Sequence, residues 1–199
     1  LEYVPVMLTH APTVPSNVTS SKTMTLTSLE TKLAGKITGI AEGLFWDAPS
    51  GFVNSGSLPP KVGKATQYTI HWKLTNYGTD VDTIIVKAFL GGNVHMTSNV
   101  KSTTGTLPVY NPNTQEVVWE VNTLVAGKGV VNAPAEAIFQ IEAIPSSSDI
   151  GKGMTLIQET RLTAVDTFTG EVVSSSDAPI FTTTLDDPMV NQQKGIVIQ

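Results

Sequence analysis

Apolar and polar residues alternate one for one through most of the chain beyond residue 64. Strands that bury a single face produce this rhythm, because successive side chains point to opposite sides of a sheet. Tyr68, Ile70, Trp72 and Leu74 alternate with Gln67, Thr69, His71 and Lys73, and the run ends in the turn Asn76-Tyr77-Gly78. Ile84, Val86, Ala88 and Leu90 follow, closed by Gly91-Gly92. Val117, Trp119 and Val121 come after Asn111-Pro112-Asn113, and Ala137, Phe139, Ile141 and Ala143 form the next run. Residues 154–167 read as one long strand turning at Thr169-Gly170. Ile180–Leu185 is then stopped by Asp186-Asp187-Pro188. Asn93–Thr104 is more polar and suits a sheet edge.

The count, roughly seven or eight strands with turn residues between them and no convincing helix, predicts an all-β, immunoglobulin-like antiparallel β-sandwich. Abundant Thr and Val favour strands in the same way. Trp72, Trp119, Tyr68 and Phe139 fall on the inward phase and are the expected core anchors.

The segments outside this block are read separately. Residues 1–23 are expected to be an extended arm, since Pro5, Pro12 and Pro15 exclude a regular helix. Within it, Asn17-Val18-Thr19 matches a glycosylation sequon, which makes Asn17 a candidate modification site. Residues 24–46 carry two overlapping patterns. Leu29, Leu33, Ile37, Ile40 and Leu44 recur near helical spacing, and Gly35, Gly39 and Gly43 form a small-xxx-small series of the kind found in membrane helix dimers. Lys36 and Glu42 interrupt that reading, and each Gly costs a soluble helix about 1 kcal/mol. The strand reading places Leu33 through Phe45 in alternation and predicts a hairpin, Met24–Glu30 against Leu33–Trp46, with glycines that let a neighbour approach the backbone. Residues 47–63, rich in Pro and Gly, read as a linker. The resulting division is an arm (1–23), a hairpin module and linker (24–60), a sandwich (61–187) and a tail strand (188–199).

Several function classes are excluded or left without support. A net charge of −5, with the twelve Lys and Arg residues scattered, opposes nucleic-acid binding. The absence of Cys removes disulfides and thiolate chemistry. No apolar run is long enough for a membrane span. No signal-peptide pattern is visible, so export would depend on a segment upstream of Leu1.

His10, His71 and His95 show no ligand spacing and read as solvent-facing, so no metal or other cofactor is expected. Neither a nucleophile elbow nor a phosphate loop is present, and no catalytic residue is assigned. Asp80 with Asp82, and Asp186 with Asp187, lack the dense oxygen spacing of a calcium loop and read as solvated turn acids. Lys73 lies on the wrong phase for a buried Lys–Asn cross-link.

Three stretches carry a family resemblance: Ser57-Leu58-Pro59-Pro60-Lys61-Val62-Gly63 running on to Tyr68-Thr69-Ile70-His71-Trp72-Lys73-Leu74-Thr75-Asn76; Val118-Trp119 before Leu124-Val125-Ala126-Gly127; and Thr163-Ala164-Val165-Asp166-Thr167-Phe168-Thr169-Gly170. They resemble the Ig-like conserved-repeat domains of bacterial and archaeal surface proteins, most closely the C-terminal regions of large surface proteins of Patescibacteria. The resemblance covers about residues 33–199 and is strongest over 57–187. It implies export, an extracellular or cell-surface location and repeated structural modules, with no active site to carry over.

The ends are apolar and β-prone, which is unusual for termini. Val4, Val6 and Leu8 in the arm, and Ile196 and Ile198 in the tail, are therefore candidate assembly contacts. Either segment could pair with its own domain, or add as a strand to a neighbouring subunit. The expected partners are further copies or other surface proteins, and the expected function is that of a filament or surface-layer subunit or a stalk module. An adhesin or carbohydrate-binding module is the alternative, with Trp46, Phe52 and Tyr77 as its stacking platform. A domain appended to a secreted enzyme is a third reading.

Overall fold

The structure is a computed structural model and describes residues 32–199. Ala34–Gln199 form one compact unit. Its strands are β1 (Ile37–Leu44), β2 (Thr66–Asn76), β3 (Val81–Phe89), β4 (Val94–Ser102), β5 (Val109–Asn111), β6 (Glu116–Leu124), β7 (Ala135–Ala143), β8 (Thr155–Ile157), β9 (Thr160–Asp166), β10 (Val172–Asp177) and β11 (Ile180–Phe181). Among the described residues the only helical pieces are single 3-10 turns. One sheet has the order β1-β2-β7-β4 and the other β10-β9-β3-β6-β5, with β8 and β11 forming a short ribbon. All these strand pairs are antiparallel. The architecture is the antiparallel sandwich that the alternation predicts.

The core lies between the two sheets. Tyr68, Ile70, Trp72 and Leu74 of β2 meet Ile84, Val86 and Ala88 of β3, Trp119 of β6 and Leu162 of β9, all buried. The predicted anchors Trp72, Trp119, Tyr68 and Phe139 are fully enclosed. Trp72 has Ala41 on one side and Ala137 on the other in register, so two small side chains make room for one large ring. The indole packs edge-on against Phe139, with ring centroids 5.0 Å apart.

Several boundaries differ from the sequence reading. The run 154–167 is two strands, because the chain leaves the ribbon at Gln158 and Glu159 and enters the large sheet at Thr160. The strand expected over Ile180–Leu185 ends at Phe181, where Thr184 closes a turn onto the Phe181 carbonyl with φ of 34°. β5 and the serine-rich β10 carry too weak an apolar pattern to be read in advance. β4 is an edge strand, as its polarity suggests.

Within the segment 33–46, Ile37–Leu44 form a strand, with Ile37, Gly39, Ala41 and Gly43 turned inward. Within the described residues its hydrogen-bonded neighbour is β2, so it belongs to a sandwich sheet. The hairpin partner expected for it, Met24–Glu30, lies outside the described residues. Residues 47–58 are not a free linker: Asp47 and Ser50 are buried, and the segment lies over the outer face of β2.

Candidate functional site

The most organised polar chemistry runs along β1. Among the described residues this strand bonds only β2, so the amides of alternate residues face away from the sheet. Such an edge is a template for pairing with another chain. Here side chains from the last third of the sequence occupy it. Asp166 Oδ2 accepts from the Gly35 amide at 2.6 Å, and Ser175 Oγ from Gly39 at 3.4 Å. Asp177 Oδ2 accepts from Ala41 at 2.7 Å, and Asp186 Oδ2 from Gly43 at 3.4 Å. Asp187 Oδ2 accepts from both Phe45 and Trp46 at 2.8 Å. Ser175 and Asp177 belong to β10, so this side of the sandwich is closed where the two sheets meet.

Two of the glycines leave room where a neighbour packs against the strand. A Cβ on Gly35 would stand 2.5 Å from Thr79 Oγ1 and 3.1 Å from Asp166 Oδ2, and one on Gly43 would stand 2.5 Å from Ile180 Cγ2. The small-xxx-small pattern therefore marks a strand edge approached by side chains.

Asp166 also turns the chain from β9 to β10 by accepting from the amides of Phe168 and Thr169, each at 2.9 Å. Burial alone would push its carboxyl up, but the Thr79 hydroxyl and the amides of Gly35, Thr169 and Phe168 outweigh burial and hold it at about 2. A carboxylate depressed from 3.8 stabilises the fold fully above that value and loses the contribution as the pH falls towards 2. Urea midpoints of the wild type and Asp166→Asn should therefore differ most at about pH 5 and converge towards about pH 2. A gap that stays constant with pH would show that Asp166 ionisation does not anchor the turn.

The outer face of β2 holds a second cluster. His71 is buried, with Nδ1 2.8 Å from Glu136 Oε1 and Nε2 2.9 Å from Asp47 Oδ2. This corrects the expectation of a solvent-facing histidine: its carboxylates come from residues 24 and 65 positions away in sequence. Burial pushes the Asp47 carboxyl up, yet its bonds to Ser50 and His71 more than compensate and hold it below the ordinary range.

Asn54 donates to the carbonyls of Leu44 and Phe45 and to Thr69 Oγ1, while Gln140 donates to Val53 O and Asn54 Oδ1. Lys101 donates to the Ser50 carbonyl and lies over the Phe52 ring, 5.2 Å from its centroid. The cluster clamps residues 47–54 onto the sheet. Both imidazole nitrogens are engaged by carboxylates, which leaves neither as a ready metal ligand or base. Among the described residues, no group of three or more His, Asp or Glu is placed to hold a metal.

The remaining candidates are dispersed. Val4, Val6, Leu8, His10 and Asn17 lie outside the described residues. Ile196 and Ile198 flank the buried Val197 in a tail engaged on both sides. Ile198 bonds to Pro60 and Val62, and Val197 to Gly151 and Lys152. Asp187 is not a solvated turn acid but a buried cap on β1, whereas Asp186 is an exposed turn acid that also reaches the Gly43 amide at 3.4 Å; exposed Asp80 accepts from the Ala126 amide at 2.7 Å. Lys73 pairs with Glu42, and no described lysine is buried. Trp46 and Tyr77 are exposed, but they lie beyond opposite ends of β1, about 30 Å apart at strand rise. Phe52 is half-buried under Lys101. The three aromatics do not form one stacking platform. The sequence reading missed the carboxylate ladder, for which the glycine spacing and the late acids were the available signals.

No protein-family model matches this sequence, and no curated protein matches it. Solved structures of similar shape include three pilins. The major pilin BcpA of Bacillus cereus is 10% identical with a TM-score of 0.44, over 73% of this chain and 39% of that one. The full-length major pilin SpaD of Corynebacterium diphtheriae is 11% identical with a TM-score of 0.41, over 73% of this chain and 34% of that one. A 35 kDa C-terminal fragment of the Streptococcus agalactiae major pilin GBS80 is 7% identical with a TM-score of 0.40, over 73% of this chain and 55% of that one. The chain thus spans less than two thirds of the length of each.

Proposed function

We propose that this chain is a non-enzymatic structural protein of the cell surface: a subunit of a filament or surface layer, or a stalk module, joined to its neighbours through β-strand contacts. The observation that carries this reading is the ladder of side chains along β1. Acids that could have served chemistry are fixed on backbone amides instead. A sandwich closed along β1 and β10 is a shape-holding element, protected on that flank against unplanned strand addition.

In this reading the arm, residues 1–23, is the donor strand, with Val4, Val6 and Leu8 as its contact side chains. The tail is the weaker donor, because its amides and carbonyls already bond Pro60–Val62 and Gly151–Lys152. The acceptor is the opposite flank, where, among the described residues, β4 and β5 each have a hydrogen-bonded neighbour on one side only. The proposed partners are copies of the chain or other surface proteins, and the proposed location is extracellular.

Electron microscopy of cell-derived material, with mass spectrometry of the mature chain, tests the reading. Regular fibres or a lattice containing this chain are expected. Deleting residues 1–23 should abolish polymers and leave a folded monomer. Polymers that survive the deletion would remove the arm from the mechanism, and cell-derived material containing only discrete particles would count against a polymerising subunit.

A further inference from the structure

The polar cluster on the outer face of β2 asks more of one side chain than its neutral form can give. Buried His71 faces Glu136 Oε1 with Nδ1 at 2.8 Å and Asp47 Oδ2 with Nε2 at 2.9 Å. An ionised carboxylate only accepts, and a neutral imidazole carries a single N–H. Neutral His71 therefore donates to one of the two and turns a lone pair on the other. The imidazolium donates from both nitrogens and satisfies both.

The charges around His71 point the same way. Glu42 of β1 stands opposite it in register, and Lys73 follows two places along β2 on the same face. Glu136 comes from β7, Lys101 from β4 and Asp47 from the segment that covers the sheet. Lys73 pairs with Glu42, and Lys101 donates to the Ser50 carbonyl. Among these described groups three carboxylates meet two ammonium groups, and an imidazolium supplies the missing positive charge.

Depth decides which carboxylate suffers when that charge is lost. The Glu136 side chain is 24% exposed and reaches water by turning, whereas that of Asp47 is 2% exposed. Asp47 also carries its segment with it. Its Oδ1 and its carbonyl oxygen accept from the Ser50 amide and hydroxyl, and Ser50 Oγ accepts in turn from the Phe52 amide. A buried carboxylate without a cation is costly, and lifting residues 47–54 returns this one to water.

We infer that residues 47–54 are a proton-dependent strap, closed over β2 and β7 while His71 is an imidazolium and released when that proton leaves. The closed strap holds a proton that the open strap gives up. Closure is therefore favoured at the acid end of the range in which imidazoles titrate, about pH 5 to 8, and weakens as the pH rises through it. Opening uncovers Thr69, His71 and Gln140, a buried polar row on an otherwise closed sheet face. The inference concerns a device within one chain and does not rest on the surface-subunit reading.

Amide hydrogen exchange of the 199-residue chain tests it, with rates corrected for the intrinsic exchange at each pH. The reporters are the Ser50 and Phe52 amides, and the Trp72 amide in the central strand β2 is the reference. Ser50 and Phe52 should lose about tenfold or more in protection between about pH 5 and pH 8, the value of one hydrogen bond to a charged group. Trp72 should keep its protection at both.

Glu136→Gln separates a proton latch from a merely structural contact. Its side-chain amide donates to the bare Nδ1 of a neutral imidazole whose Nε2–H serves Asp47, so the strap should stay closed to within about twofold at either pH. The replacement is isosteric at a partly exposed site, and circular dichroism confirms the fold. His71→Gln should lose the pH dependence whatever its level of opening, and His95→Gln should retain it. Four results would each overturn the inference: equal wild-type protection at both pH values, a parallel loss at Trp72, a Glu136→Gln variant as pH-dependent as the wild type, or a His71→Gln variant that still responds to pH.

Discussion

Replacing Asp187 with alanine is expected to lower the stability of the sandwich by about 3 kcal/mol, and its melting temperature by roughly 6–12 °C for a unit of this size. Asp187 is buried, and its two oxygens accept from three amides: Phe45 and Trp46 at 2.8 Å on Oδ2, and Met189 at 2.9 Å on Oδ1. Alanine offers no acceptor, and the Phe45 amide sits in buried surroundings that water does not reach easily. The cost is dominated by donors left unmade, not by the average worth of a hydrogen bond. Asp187→Asn keeps one carbonyl oxygen and should lose about half as much. Ser175→Ala removes a neutral bond of 3.4 Å at a partly exposed site and should stay within about 0.5 kcal/mol of wild type. Urea denaturation of the three variants checks the order. Equal losses for Asp187→Ala and Ser175→Ala would mean that the β1 edge is not held by its carboxylates. Hydrogen exchange gives an independent readout, since Asp187→Ala should speed exchange of the Phe45 amide first.

The sandwich could be read from sequence because its two central strands obey the simple rule. β2 and β7 alternate over nine or more residues, and Trp72, Trp119, Tyr68 and Phe139 all lie where that phase places them. Alternation fails where burial has a second cause. Thr69 and His71 sit on the outward phase of β2 and are nevertheless buried, because residues 47–54 fold over them. Nothing local in the Asp47-Ala48-Pro49-Ser50-Gly51 run announces that cover; it depends on Glu136, which arrives on β7. β10 escaped notice for a related reason. Val172–Asp177 is half serine, and its outer edge is matched to the amides of β1, not to an apolar layer. The glycines at 35, 39 and 43 did signal a close approach, but only the register of β1 identifies the groups on their amides as Asp166, Ser175 and Asp186, more than 130 residues away. What sequence pattern conveys is which face of a strand is dry. Which edge of a sheet is covered by side chains is a property of the assembled fold.

The second large effect is expected at Trp72, where alanine should cost about 3–5 kcal/mol and roughly 6–20 °C in melting temperature. The indole is flanked in register by Ala41 and Ala137, so removing it opens a cavity between two residues too small to fill it. The edge-on contact with Phe139 is lost as well. A loss of this size is a large fraction of the 5–15 kcal/mol that typically holds a domain together. Phenylalanine separates packing from hydrogen bonding. Trp72 Nε1 has no hydrogen-bond partner among the described residues, so Trp72→Phe loses volume alone. Trp119 Nε1 donates to the Thr106 carbonyl at 3.2 Å, so Trp119→Phe also releases the segment leading into β5. Trp119→Phe should therefore cost about 1 kcal/mol more than Trp72→Phe. Urea denaturation followed by circular dichroism measures both without relying on the indoles as reporters. If Trp72→Phe proved the more damaging of the two, packing around the Ala41–Trp72–Ala137 row would be more exacting than its small neighbours imply. If Trp72→Ala cost less than about 1 kcal/mol, the row would be able to collapse, and Trp72 would not be the anchor of the inter-sheet core.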